Sequence, residues 1–305
     1  MKNQLNIQNP VNCNCSLDKR LPNWLNQDIP NAQVIKIARD IANAGVNTVC
    51  LEAKCPNVSE CFKGNQATFL ILGKICTRNC SFCNIEKAGV TKPDVDYREA
   101  ERIIEVVRLM GLRYVVVTSV TRDDLDDGGS FQFASILELI HEISNDIKVE
   151  VLVPDFQGRV MSLKVVIDAD PFVLAHNIET VKRLYAVVRP QADYSRSLNL
   201  LKIAKEFNSS LITKSSLMLG MGETEEEVFE VMHDLRRSNC DILTLGQYLA
   251  PSVQHYSVKD FIHPEQFSKY QEIAIKLGFK KVLSGPKVRS SYKAEETSRL
   301  ISTAN

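Results

Sequence analysis

The sequence predicts an α/β fold built on a parallel sheet, and three observations carry that expectation. From residue 68 onward, short apolar runs alternate with amphipathic stretches. The apolar runs are nearly continuous, without the in–out alternation of a half-wet sheet, so they read as strands covered on both faces. Six such strand–helix units follow one another, and parallel pairing requires crossovers of that kind. They fit either an open doubly wound sheet or an incomplete barrel. In both, the chemistry belongs at the carboxyl ends of the strands.

Taken in order, residues 1–30 read as an irregular polar arm rich in Asn and Pro. Trp24, the sole tryptophan, anchors it within Leu21-Pro22-Asn23-Trp24-Leu25. A helix fits 31–44, where Val34, Ile37, Ala38 and Ile41 share one face and Gly45 stops it. Strands are expected at 68–73, 114–119, 148–153, 172–175, 215–219 and 242–247. Helices are expected near 97–110, 131–144, 159–168, 195–207 and 224–238. A last helix at 264–277 and a strand-like segment at 279–283 close the domain. No repeat, linker or low-complexity tract interrupts the chain.

Composition excludes several function classes. The 305 residues are 44% hydrophobic and 24% charged, with Lys+Arg and Asp+Glu balanced at 37 each. That balance lacks the basic excess of a nucleic-acid binder. No apolar run approaches the roughly 20 residues that span a bilayer. The polar start, Met-Lys-Asn-Gln, has no signal-peptide apolar core. A cytoplasmic protein with neither nucleic acid nor membrane as partner is expected. In a reducing compartment, six clustered cysteines out of nine point to metal rather than to disulfides.

The cysteines carry the functional signal. Cys76, Cys80 and Cys83 form C-x3-C-x2-C directly after the first expected strand. A cubane cluster has four irons, so three thiolates leave one iron free to bind something else. A structural zinc site is the competing reading, but it takes four ligands, often as paired C-x2-C knuckles. Upstream, Cys50, Cys55 and Cys61 form C-x4-C-x5-C, too wide for a zinc knuckle. A second cluster is the economical reading, and buried apolar cysteines are the bland one.

With Phe82 just before its last cysteine, the C-x3-C-x2-C loop resembles that of radical S-adenosylmethionine enzymes. Its pairing with C-x4-C-x5-C resembles the lipoyl synthase family. Further blocks are similar: Thr118 to Leu125 with Asp127-Gly128-Gly129, His176 to Thr180, and Val188-Arg189-Pro190. So are Ala192-Asp193-Tyr194 leading into Arg196-Ser197-Leu198, Lys214 to Gly220 followed by Gly222-Glu223-Thr224, and Ser284 to Tyr292. Ser216 stands where that family commonly has Gly. The resemblance runs from about residue 21 to 292.

That resemblance implies an incomplete (βα)6 TIM-like barrel with N- and C-terminal extensions, two [4Fe-4S] clusters and S-adenosylmethionine. Residues 1–67 would form the arm, helix and auxiliary-cluster motif, and 68–250 the partial barrel. Residues 251–305 would be an extension closing the auxiliary cluster, all in one structural domain. Cys76, Cys80 and Cys83 would hold the radical-generating cluster, with Phe82 near the adenine. Cys50, Cys55 and Cys61 would hold the auxiliary cluster with Ser291, the second serine of Arg289-Ser290-Ser291-Tyr292, ahead of Ser290. Thr118, Ser119, Asp123, Asn177 and Arg189 are expected contacts to S-adenosylmethionine from their blocks and strand-end positions. Each would equally serve to cap a helix or satisfy a loop.

The implied reaction inserts sulfur at carbons 6 and 8 of an octanoyl chain held in amide linkage by a lysine of a lipoyl carrier protein. Carriers would be the E2 subunits of 2-oxoacid dehydrogenases and the glycine cleavage H protein. The auxiliary cluster would be the sulfur source, consumed and then rebuilt by an iron–sulfur carrier. Ferredoxin or flavodoxin would supply electrons. A methylthiotransferase would add an RNA-binding domain, and a biotin synthase relative lacks C-x4-C-x5-C. A ferredoxin-like carrier or sensor leaves six βα units unexplained. Cys13, Cys15 and Cys240 match no cluster motif, and Cys240 is expected in the core at a helix end.

Overall fold

The computed structural model describes residues 21–26, 29–64, 66–89 and 94–297. Cys13, Cys15 and most of the expected arm lie outside them. One eight-stranded sheet organises the chain. Its strands are β1 (Asn47–Thr48), β2 (Thr68–Ile71), β3 (Tyr114–Ser119), β4 (Lys148–Leu152), β5 (Val173–Ala175), β6 (Ile212–Leu219), β7 (Ile242–Gln247) and β8 (Lys281–Gly285). They pair in that order, β1 antiparallel to β2 and every later pair parallel.

The unreversed order decides between the two expected architectures. A doubly wound sheet reverses direction at a switch point, and this one does not. β1 and β8 remain edges, so the barrel-like sheet stays open. The segment expected at 279–283 lies two residues later as β8. It continues the sheet as a seventh parallel strand, with Lys281 opposite Ile242 and Gly285 opposite Gly246.

Helices return the chain between strands. α1 (Ala32–Asn43) starts where Asn31 Oδ1 accepts the Val34 N–H at 3.0 Å, and it buries Val34, Ala38 and Ile41. Two short helices, α2 (Val49–Glu52) and α3 (Val58–Lys63), were not foreseen, because one turn is too little for a 3.6-residue period to show. α4 (Glu99–Met110) ends on Gly111 at φ 60°, a left-handed terminator. α5 (Ser130–Ile143), α6 (Val160–Asp168) and the single-turn α7 (Tyr185–Val188) follow. α8 (Tyr194–Phe207) is capped by Asp193, and α9 (Glu225–Arg237) opens with a Thr224/Glu227 capping box. α10 (Pro264–Lys276) begins with proline, whose missing N–H is harmless there. Cys240 is buried just after α9. At the start of the described chain Leu25 is buried, and the Trp24 ring meets His263 edge-on at 5.1 Å, so this end is pinned to the body.

Strand alternation divides the interior in two. Phe69, Ile71, Val115, Val117, Val149 and Val151 join the main apolar core. Their neighbours Leu70, Tyr114, Val116, Thr118 and Leu152, with Ser216 and Met218 of β6, line a cavity, Leu70 and Met218 packing on that core as well. Toward the amino ends of the strands an ionic floor lies beneath that cavity. Lys214 Nζ donates to Glu150 Oε1 at 2.8 Å and Oε2 at 3.1 Å, and Tyr114 Oη donates to Oε2 at 2.9 Å. Both charged side chains are 0% exposed. No helix among the described residues is long and apolar enough to cross a membrane.

Removing one partner of so buried a pair strands the other charge. Lys214→Met is expected to destabilise the protein by about 3–5 kcal/mol in chemical denaturation, with Lys214→Met/Glu150→Leu recovering most of the loss. A double variant no more stable than Lys214→Met would show that the floor is needed for more than charge pairing.

Candidate active site

The three-cysteine loop follows β2, and main-chain bonds fix its path. The Thr77 N–H and Oγ1 both donate to the Thr121 carbonyl at 2.9 Å, and Asp123 N–H donates to Thr77 Oγ1 at 3.0 Å. Asn79 N–H donates to Gln191 Oε1 at 2.5 Å, and Ser81 N–H to the Val188 carbonyl at 3.0 Å. The strongest tie comes from inside the motif. Arg78 is only 4% exposed, and its guanidinium grips Asp123 at 2.7 and 2.9 Å and Asp155 at 2.5 Å. Arg196 meets the other oxygen of Asp155 at 3.3 Å. Two carboxylates from the ends of β3 and β4 thus hold the loop from below. Sequence reasoning missed Arg78 and Asp155; an arginine between cluster cysteines was the available signal.

The second triad lies on the two unforeseen helices. Cys50 is in α2, Cys61 in α3 and Cys55 in the turn between them. The Cys55 N–H donates to the Cys50 carbonyl at 3.2 Å, and the Cys61 N–H to the Asn57 carbonyl at 2.9 Å. Asn84 Nδ2 donates to the Glu52 carbonyl at 2.9 Å, joining this segment to the first loop. The chain after β8 folds onto the same segment. Asn57 Nδ2 donates to the Lys287 carbonyl at 2.6 Å, and Tyr292 Oη to Glu60 Oε1 at 2.8 Å. Gly246 makes that return possible, since a Cβ there would lie 1.9 Å from the Val288 carbonyl oxygen.

These segments line one cavity of about 390 Å³ that opens to solvent. Cys50, Cys55, Cys61, Cys76, Cys80, Cys83 and Ser291 line it together. So do Phe82, Thr118, Ser119, Asn177 and Arg189. Asp123 is not among the lining residues; Arg78 takes its carboxylate instead. Thr118 Oγ1 already donates to the Leu152 carbonyl at 2.8 Å. Ser119 Oγ and Arg189 Nε are buried and lack a hydrogen-bond partner among the described residues. Buried orphans of this kind mark where a ligand or water completes the set. Glu179, which sequence reasoning also missed, lines the cavity with φ 64° and accepts from Asn177 Nδ2 at 3.0 Å. Ser290 Oγ donates to Asn177 Oδ1 at 2.9 Å, so that serine is engaged.

The chemistry of the donor set fits iron–sulfur clusters. All six thiols are free. Burial pushes the Cys83 thiol up to about 11 and Cys61 up to about 12, and it raises Cys50, Cys55 and Cys80 as well. Such thiols stay protonated near neutrality unless a cation sits at their sulfur. Among the described residues, no three His, Cys, Asp or Glu side chains converge on one metal-ion position. Arg289 stands with its charge beside Cys55, favouring the thiolate there.

The Arg78 clamp makes a pH prediction. Burial alone would raise the Asp155 carboxyl, but hydrogen bonds and charge from Arg78 overcome it and pull it down to about 2. A folded carboxyl that titrates below its unfolded value stabilises fully above about pH 4. That contribution, about 2 kcal/mol, is lost as pH falls through about 2. Asp155→Asn is expected to lower stability at pH 7 by that order and to flatten the acid limb of the stability profile. An acid limb identical to the parent's would remove Asp155 from this role.

Comparison with known proteins agrees with the geometry. The Radical SAM superfamily model matches residues 70–235. Lipoyl synthase from Caldicellulosiruptor saccharolyticus is 52% identical over 292 residues, which cover 93% of this chain and 100% of that protein. Lipoyl synthase from Aquifex aeolicus is 51% identical over 89% of this chain and 97% of its own length. Among solved structures, the [FeFe]-hydrogenase maturase HydG matches with a TM-score of 0.56 at 16% identity, over 88% of this chain and 66% of that one. Methylornithine synthase (PylB) matches at 0.52 and 14% identity, over 70% and 63%. These two likenesses speak to the fold alone. Half-identity to lipoyl synthases over nearly the whole chain, on a radical S-adenosylmethionine fold, places this chain in the lipoyl synthase family.

Proposed function

We propose that this chain inserts two sulfur atoms, at carbons 6 and 8, into an octanoyl chain in amide linkage to a carrier lysine. E2 subunits of 2-oxoacid dehydrogenases and the glycine cleavage H protein are the proposed carriers. One observation carries the reading: two separate groups of three free cysteines, with Ser291, share a single cavity. Cys76, Cys80 and Cys83 would hold one [4Fe-4S] cluster, leaving an iron for S-adenosylmethionine. Cys50, Cys55 and Cys61 with Ser291 would hold the other. Bound there, the two clusters and S-adenosylmethionine supply a primary carbon radical and inorganic sulfur, chemistry that no side chain possesses.

The chain's own residues bind, orient and exclude water. Phe82 gives the cavity an apolar wall beside the first triad. Ser119 Oγ and Arg189 Nε offer unfilled polar atoms to a zwitterionic ligand, with Thr118 and Asn177 alongside. Asp123 acts indirectly, by holding Arg78. Val116, Leu152 and Met218 offer apolar surface to an alkyl substrate and keep water from it. The Ser291 hydroxyl is a harder donor than a thiolate, suited to a site that must release its contents. Ferredoxin or flavodoxin is the proposed electron source, and an iron–sulfur carrier is proposed to refill the second site.

Protein reconstituted without oxygen is expected to hold about eight irons, and four or fewer after complete loading would contradict two clusters. Cys55→Ala should still cleave S-adenosylmethionine while adding no sulfur. Loss of cleavage with the first site loaded would assign the triads differently. The direct test is mass spectrometry of an octanoyl-lysyl carrier peptide incubated with S-adenosylmethionine and a strong reductant. Two added sulfurs are expected, and a peptide that gains none would overturn the proposal.

A further inference from the structure

We propose that Ser290 is a positioning residue for Ser291 and that, through Asn177, it ties Ser291 to the groups around Cys80. The inference rests on the functional reading above, in which Ser291 is a ligand. The turn after β8 is held to the body at several points, and they are not equivalent. The Asn57–Lys287 and Glu60–Tyr292 bonds run to the segment that carries Cys55 and Cys61, so they travel with that triad. Val288 rests on the Gly246 backbone of β7. Ser290 Oγ reaches elsewhere, to Asn177 in the loop that leaves β5.

Asn177 is 8% exposed, and three of its polar atoms are engaged. Its Nδ2 donates to Glu179 Oε1 at 3.0 Å, which directs its Oδ1 at the Ser290 hydroxyl, 2.9 Å away. Its carbonyl accepts from Arg189 Nη1 at 3.0 Å. The Arg189 charge stands beside both Cys80 and Glu179. A single chain of contacts thus runs Cys80, Arg189, Asn177, Ser290, and the next residue is Ser291. Glu179 holds the Asn177 amide and Arg189 holds its main chain, so a ligand that draws on Glu179 frees the amide to turn, and the Ser290 hydroxyl must follow or lose its partner. The contact from the turn after β8 to the loop leaving β5 is one neutral hydrogen bond, strong enough to bias a loop and weak enough to yield.

The test is release of iron to a chelator from fully reconstituted protein. The auxiliary phase is the one that persists when Cys76, Cys80 and Cys83 are all changed to Ala. Ser290→Ala is expected to release that iron about fivefold faster, the size of effect one such bond supports. Ser290→Thr, which keeps the hydroxyl, should behave as the parent does. Asn177→Ala should match Ser290→Ala, and the double variant should be no faster than either single one, because all three remove the same contact. Excess S-adenosylmethionine should change the parent's rate and leave that of Ser290→Ala unmoved. A parental rate in Ser290→Ala, multiplied effects in the double variant, or an equal response to S-adenosylmethionine would each overturn the role of Ser290. Parent protein that binds only four irons would instead overturn the two-cluster reading itself.

Discussion

A hydrogen bond across 230 residues, from Asn57 Nδ2 to the Lys287 carbonyl, fixes the relation that the site depends on. The barrel-like sheet provides a mouth, but the second triad and Ser291 come from opposite ends of the chain. Bringing such distant segments together costs loop entropy, which must be offset by specific contacts at the meeting point. The Tyr292–Glu60 bond and the backbone approach at Gly246 supply the rest. Each contact requires a particular residue type. An amide reaches a carbonyl, a phenol reaches a carboxylate, and a glycine admits another backbone.

Charge is distributed in the same economical way. Two of the ionic clusters lie close to the cavity. Below the cavity, Lys214 and Glu150 neutralise each other within the sheet and offer nothing to a ligand. Beneath the first triad, Arg78, Asp123, Asp155 and Arg196 balance to zero while linking the loop to three other elements. Arg189 and Arg289 differ, because each stands beside a cysteine from a different triad. A cation beside a thiol lowers the cost of forming a thiolate there.

Much of this was legible in the sequence. Six βα units, most strand bounds to within a residue or two, and the shared location of the six cysteines follow from apolar runs, helical period and motif spacing. β8 was misplaced by two residues because Phe279 and Lys280 precede the ladder without joining it. Helices α2 and α3 escaped because four and six residues are too few for a helical period to show. Arg78 and Asp155 were unreadable for another reason. Their partnership spans 77 residues, and neither residue type announces burial. Asp123 shows the same limit from the other side, since a strand-end carboxylate looks alike whether it faces a ligand or an arginine. Cys240 was easier, because a cysteine at a helix end in an apolar context packs as a small hydrophobe.

The antiparallel strand at the sheet's margin has a consequence of its own. β1 is only Asn47–Thr48 and turns at once into α2. A sheet that does not close on itself normally exposes a ladder that other chains can extend. Here a trespassing strand would find two residues to pair with before the backbone coils away. The seam can stay unsealed without inviting polymerisation along that side.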